Sequence, residues 1–192
     1  DDIRYWRSLL PANGLVVVDQ AFADGNPESD VSALAGEPGI VLLRSVGKFF
    51  GLPGLRLGFV IAESGLLSEL DNRLGPWAVS GTAQWIGGRA LADVEWQSQM
   101  RSKLAEASLA QKDLLAATFA DCGVRCVSSA LFITLIMPLA RAQRLQAECY
   151  QVGLSVRVYQ CDDLAYMRWG LASDIEVLAE RLGQLNLAEL AA

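Results

Sequence analysis

The apolar positions in the first third of the chain fall into short unbroken runs. Leu15-Val16-Val17-Val18 is rich in β-branched residues and ends at Asp19. Gly39-Ile40-Val41-Leu42-Leu43-Arg44-Ser45 and Leu57-Gly58-Phe59-Val60-Ile61-Ala62 follow the same design. Runs without polar alternation indicate strands buried in a parallel sheet. Before them, residues 3–10 read as the end of a helix, broken by Pro11, Asn13 and Gly14. Between them lie a polar loop and a short helix at residues 31–35. Three such strands joined by loops and short helices predict an α/β sheet.

The period then changes. Residues 66–72 read as helix, and Gly75-Pro76-Trp77 interrupts it. A long helical pattern covers residues 82–121, with breaks expected at Gly87-Gly88 and near Asp93 and a cap at Gly123. The tail reads as a separate α+β unit. Its strands fall near residues 131–137, 155–158 and 166–171, with helices at 140–152 and 174–187. The expected division is a larger domain over residues 1–120, ending in the long connecting helix, and a small domain over 121–192.

Composition narrows the function classes. The chain has 192 residues, of which 52% are hydrophobic and 20% charged, so it can fill a core. Its net charge of −6 opposes nucleic-acid binding. No apolar run reaches the length of a membrane span. There is no histidine, which removes Ser–His–Asp and Cys–His catalysis and mixed zinc sites, and no metal is expected. Cys122, Cys126, Cys149 and Cys161 form no CxxC pair and read as reduced thiols of a cytoplasmic protein.

The chemistry concentrates in Ser45-Val46-Gly47-Lys48-Phe49-Phe50-Gly51-Leu52-Pro53-Gly54-Leu55-Arg56-Leu57-Gly58. A lysine stands in a glycine-rich loop between two strands, with a serine three residues before it and an arginine eight after. Pyridoxal phosphate asks for this set of groups. An amine bonds its aldehyde. A hydroxyl and a forked guanidinium hold its phosphate. A carboxylate pairs with its ring nitrogen, and Asp19 at the preceding strand end can supply it. Taken singly, each residue has a plainer reading as a solvated lysine, a turn aspartate or a surface arginine. Ser45-x-x-Lys48 also fits the serine nucleophile of penicillin-binding enzymes, but the SDN and KTG elements that reading requires are absent. Lys48 is followed by Phe49, which excludes a Walker A loop.

Asp19, Ser45-x-x-Lys48 and Gly54-Leu55-Arg56-Leu57-Gly58, in this order, resemble the signature of the fold-type I, class I/II aminotransferase family. The resemblance implies the later part of a pyridoxal-phosphate-binding domain, with helices on both faces of a mostly parallel sheet, followed by a small α+β domain. It implies that Lys48 carries the cofactor and that Ser45 and Arg56 hold its phosphate. Asp19 then meets the pyridine nitrogen, and Arg168 in Tyr166-Met167-Arg168-Trp169-Gly170 grips the substrate's acidic group. Asp19-Gln20-Ala21-Phe22 departs from the common Asp-Glu-Ala-Tyr, and Gly47 stands where Ser or Thr is usual. With Gly75-Pro76-Trp77-Ala78-Val79-Ser80-Gly81, these departures are most similar to the threonine-phosphate decarboxylases of cobalamin biosynthesis. That subfamily implies a phosphorylated amino-acid substrate and a homodimer. The alternatives are an aminotransferase of the histidinol-phosphate type and a non-catalytic fragment. Because the resemblance covers the second half of the family's fold, the chain is expected to be a C-terminal portion with weak activity by itself.

Overall fold

The computed structural model describes residues 2–187. The chain divides into two compact units, Asp1–Ser98 and Gln99–Ala192.

The first unit opens with helix α1 (Asp2–Ser8) and strand β1 (Val16–Asp19). Strands β2 (Ile40–Ser45) and β3 (Gly58–Ile61) complete a sheet of order β1-β2-β3. β1 and β2 run parallel, with Val16 opposite Ile40 and Asp19 opposite Leu43. β3 instead runs antiparallel to β2, with Leu42 opposite Ile61 and Ser45 opposite Gly58. The sheet is therefore mixed rather than mostly parallel among the described residues. The reversal comes from the loop 46–57, which carries one short 3₁₀ turn at Pro53–Leu55 and returns the chain beside β2. A parallel return needs a longer crossover, usually a helix.

β1 is not sealed on both faces. Its residues alternate between half-buried and exposed, and Val17 is 56% exposed. One face packs on a cluster in which Leu34, Ile40 and Leu42 are buried and Ile3, Val18 and Ile61 lie against them. The expected short helix at 31–35 is a 3₁₀ turn, Ser32–Leu34.

Helices α2 (Ser64–Leu74) and α3 (Gly81–Ala92) follow, then α4 (Val94–Thr118), which crosses from the first unit into the second. Ser80 caps α3, its Oγ accepting from the Ala83 N–H at 3.2 Å. The long helical pattern breaks once, at Asp93, whose Oδ1 accepts from the Trp96 N–H at 3.0 Å. Gly87-Gly88 does not break α3. A Cβ at Gly87 would lie 2.2 Å from Leu57 Cδ2, so this glycine serves close packing rather than a turn.

The second unit holds β4 (Arg125–Ser128), β5 (Phe132–Pro138), α5 (Leu139–Gln151), β6 (Arg157–Cys161), β7 (Leu164–Gly170) and α6 (Ile175–Leu182). Its sheet is antiparallel throughout, in the order β4-β5-β7-β6. One face packs on helices. Leu115 of α4, Phe119 just beyond its end, Leu145 of α5 and Leu178 of α6 meet Ile133, Leu135, Met167 and Trp169 of the sheet. Fully burying each such side chain contributes about 1.5–3 kcal/mol. α6 begins on an Asp174 cap that accepts from the Glu176 and Val177 N–H groups. It ends at Leu182, short of the expected 187. All four cysteines are free thiols. Among the described residues no helix is long and apolar enough to cross a membrane, and no cluster of ligands could hold a metal ion.

Candidate functional site

The first unit brings four of the five sequence-predicted residues to one end of its sheet. Asp19 is the last residue of β1. Ser45 ends the parallel neighbour β2, two positions beyond Leu43, the register partner of Asp19. Parallel strands that stop together deliver side chains to a common crevice at their carboxyl ends. Asp19 is exposed, and its Oδ1 accepts from the Ala21 N–H at 2.9 Å. Its other oxygen, Oδ2, has no partner among the described residues. The loop beyond is tied down by Gln20, which is buried and donates from Nε2 to the Ser29 carbonyl at 3.1 Å.

Three residues after Asp19 the Phe22 ring lies under the Lys48 amine, with Nζ 5.3 Å from the ring centroid. This contact places the lysine over the segment that carries the aspartate. An ammonium over a ring face is held by the ring quadrupole. Lys48 itself is exposed, but its neighbours are not. Phe49 and Phe50 are buried, and their rings pack on Trp96 of α4 with centroids 5.5 and 5.9 Å away. Two buried aromatics thus anchor a loop whose lysine points outward.

Ser45 and Arg56 share that loop. The Ser45 Oγ accepts from the Gly47 N–H at 3.1 Å. A Cβ at Gly47 would sit 3.2 Å from this oxygen and 3.5 Å from Pro53 Cα, so glycine lets the two strands of the loop close up. The Arg56 guanidinium donates from Nη1 to the Pro53 carbonyl at 3.0 Å. Its backbone is left-handed, at φ 50° and ψ 42°. That conformation is costly for a side chain with a Cβ, and such strain gathers at functional sites. An amine, a carboxylate, a hydroxyl and a strained guanidinium, at two neighbouring strand ends and the loop beyond, are groups that could engage the aldehyde, ring nitrogen and phosphate of pyridoxal phosphate.

A cleft of about 330 Å³ in this unit is a neighbour of this set rather than its centre. It is lined mainly by apolar side chains such as Phe50, Phe59 and Leu91, and of the predicted residues only Ser45 reaches it. Its polar wall is Arg44, which is bonded to Asp24 and, at 3.1 Å, to Asp30. Burial works to raise the Asp30 carboxyl. Hydrogen bonds from the Ser32 hydroxyl and N–H, with the Arg44 charge, outweigh it and hold that carboxyl below its usual value.

Arg168 belongs to the second unit. It lies on β7, on the face opposite the buried Ala165, Met167 and Trp169. It is half-buried rather than buried, so its burial alone does not call for a ligand. Its guanidinium stacks over Phe132 at 5.2 Å and Tyr159 at 5.7 Å. The register adds a residue that the sequence reading missed. Arg157 of β6 stands directly opposite Arg168. No ion pair joins either arginine to an acid among the described residues. The Arg157 side chain is exposed and bonded to the Tyr159 hydroxyl, beside the ring that also meets Arg168. The signal was present in Val156-Arg157-Val158, a cation between apolar neighbours, but it becomes meaningful only with the pairing known.

The profile of the aminotransferase class I and II family matches residues 3–173. The chain belongs to that family. It is 38% identical over 171 residues to the threonine-phosphate decarboxylase of Pseudomonas aeruginosa, covering 88% of this chain and 49% of that protein. It is 34% identical over 127 residues to the histidinol-phosphate aminotransferase of Sodalis glossinidius, covering 66% of this chain and 35% of that protein. In fold it is similar to the histidinol-phosphate aminotransferase of Sinorhizobium meliloti, solved in complex with pyridoxal-5'-phosphate. The TM-score is 0.74 at 20% identity, over 99% of this chain and 52% of that one. The chain thus spans about half the length of the relatives it matches.

Proposed function

We propose that this chain carries the pyridoxal-phosphate lysine and ring-nitrogen partner of a threonine-phosphate decarboxylase. The observation that carries the reading is the placement of the Lys48 amine over Phe22, in the loop that follows Asp19 at the end of β1. Family membership and the 38% identity to a threonine-phosphate decarboxylase support it. The reading includes O-phospho-L-threonine as small-molecule substrate, a place in cobalamin biosynthesis, and a homodimeric assembly.

When bound, pyridoxal phosphate supplies an electron sink that stabilises negative charge left at the substrate Cα. Lys48 would hold the cofactor through Nζ, and its amine could carry a proton to the substrate Cα. Asp19 offers Oδ2 to the ring nitrogen and keeps its proton in place. Ser45 and Arg56 receive the phosphate, the arginine through two parallel N–H donors. Arg168, with Arg157 opposite, orients the substrate by its acidic groups. The way these arginines hold the substrate would decide which bond at Cα is exposed to cleavage. Phe22 beneath Lys48 offers no hydroxyl, so the cofactor's ring oxygen would find no phenol donor at this position.

The test is a cofactor titration. The chain is mixed with pyridoxal phosphate, the visible absorption is recorded, borohydride is added, and the labelled peptide is mapped. A visible band with the label on Lys48 supports the reading, and a label on another lysine sinks it. The substrate arm adds O-phospho-L-threonine and follows carbon dioxide. A second reading, aminotransfer of the histidinol-phosphate type, is favoured by the similarity to the Sodalis enzyme. Amino transfer to 2-oxoglutarate without carbon dioxide would establish it in place of the first.

A further inference from the structure

Two buried polar side chains of α4 have no part in the chemistry just described, and both act on the main chain around Arg168. Gln111 is 1% exposed. Its Nε2 donates to the Gly170 carbonyl at 2.9 Å, and its Oε1 accepts from the Ala172 N–H at 2.7 Å. Gly170 is the last residue of β7, two positions after Arg168. Ser108 lies one helical turn before Gln111, is 7% exposed, and donates from Oγ to the Ser129 carbonyl at 2.8 Å. Ser129 in turn closes the β4–β5 turn, donating from N–H and Oγ to the Phe132 carbonyl at 2.9 and 3.1 Å. Phe132 is both the register partner of Gly170 and the ring beneath the Arg168 guanidinium.

These contacts converge. The backbone that carries Arg168 is held on one side by Gln111. The main chain of Phe132, whose ring lies beneath its head group, is held through the turn by Ser108. A helix that only needed to pack here would carry leucine or alanine, as the same face does one turn on at Leu115. Burying an amide is favourable only when both of its ends are bonded, and Gln111 spends both on main-chain groups beyond the regular ladder.

We propose that Gln111 and Ser108 are positioning residues that fix the Arg168 guanidinium for the substrate's acidic group. The inference rests on the reading of Arg168 as that anchor. An arginine has four side-chain torsions, and a rotamer held from below loses less freedom when an anion arrives.

The experiment uses the full chain and two readouts. The first is the Arg168 Nε–Hε resonance, assigned by its loss in Arg168→Met. The second is the affinity for O-phospho-L-threonine. Gln111→Met keeps the side-chain volume and removes both hydrogen bonds. The expected result is a shifted or broadened Arg168 resonance in a folded protein. Affinity should fall roughly five- to tenfold, the size of couplings within one hydrogen-bonded network. The loss should vanish when Gln111→Met is made on Arg168→Met. A Gln111→Met protein that melts earlier but keeps the Arg168 resonance and the affinity has only lost a packing residue, and the proposal is overturned. If Arg168→Met leaves affinity unchanged while Gln111→Met still moves the Arg168 resonance, the anchor reading fails and the positioning stands. Ser108→Ala removes one hydrogen bond and little volume, so it serves if Gln111→Met does not fold. An unmoved Arg168 resonance in Ser108→Ala then overturns the proposal.

Discussion

Arg56 provides the sharpest separation between stability and ligand binding. It is a non-glycine residue in the left-handed region, at φ 50° and ψ 42°. For an L-residue that conformation costs roughly 1–2 kcal/mol. Arg56→Gly removes this cost and gives back about 0.4–1 kcal/mol through the greater freedom of glycine in the unfolded chain. The exposed bond from Arg56 to the Pro53 carbonyl is lost with little effect. The net gain is about 0.5–1 kcal/mol, which for a chain of this size raises Tm by roughly 1–4 °C. The same change removes the guanidinium proposed to hold the cofactor phosphate. Losing a charge-assisted hydrogen bond costs about 1.5–3 kcal/mol, or roughly 10- to 150-fold in affinity. Thermal unfolding is read by far-ultraviolet circular dichroism without cofactor, since bound ligand would add its own stabilisation. Affinity is read by titrating pyridoxal phosphate and following the visible band. Arg56→Lys is the control, because it keeps the charge and the strain but not the fork. A lower Tm in Arg56→Gly would refute the strain argument. An unchanged cofactor affinity would refute the phosphate assignment.

Three further outcomes are expected. At pH 8 the exposed Cys161 should react with iodoacetamide first, while Cys149 resists, because burial and then the neighbouring Glu148 push its thiol up to about 12; rapid labelling of Cys149 in the native protein, seen by peptide mapping, would contradict this burial. The folded-state value of Asp30 is depressed, so its stabilisation is present at neutral pH and is lost as pH falls through that value. Asp30→Asn should flatten the acid limb of a stability-versus-pH curve and leave the alkaline limb alone, and parallel acid limbs would count against it. Leu115 is fully buried, so Leu115→Ala should cost about 3–5 kcal/mol in a urea melt, and a loss below about 1 kcal/mol would mean the core is looser than it looks.

Much of the local structure is legible in the residues. The run that ends at Asp19 is β1, and the run that ends at Ser45 is β2, because β-branched apolar stretches between turn residues have few other solutions. Strand direction is another matter. β3 reads like its neighbours, yet it runs the opposite way, since direction is decided by how the loop 46–57 folds rather than by the strand's own composition. Glycine misled at Gly87, where a close approach by Leu57 looks in sequence like a helix break. β4 was not foreseen, because Arg125-Cys126-Val127-Ser128 becomes a strand only through its pairing with β5. At the candidate site the order Asp19, Ser45, Lys48, Arg56 was readable from spacing. Arg157 was not, because its partner lies across a ladder and its role depends on facing another arginine. Gln111 and Ser108 were hidden for a related reason. A glutamine and a serine on a long helix look solvated until the strand ends they hold are known.

The pairing of Ser45 with Gly58 has a mechanical consequence. These two residues form the last register rung between β2 and β3, and just beyond it the Val46 N–H donates to the Leu57 carbonyl at 3.4 Å, so the loop leaves and re-enters the sheet at one place. Lys48 and Arg56 therefore hang from one hinge pin, with Ser45 on the pin itself. When the sheet twists or breathes, the three groups travel as a cassette, and the distances among them change less than their distance to anything else. A change at either end of that rung, such as a bulky residue at Gly58, where a Cβ would press the Arg44 carbonyl at 3.1 Å, would tilt all three groups at once. The three groups proposed to meet the cofactor are thus carried together on the closed end of one strand pair.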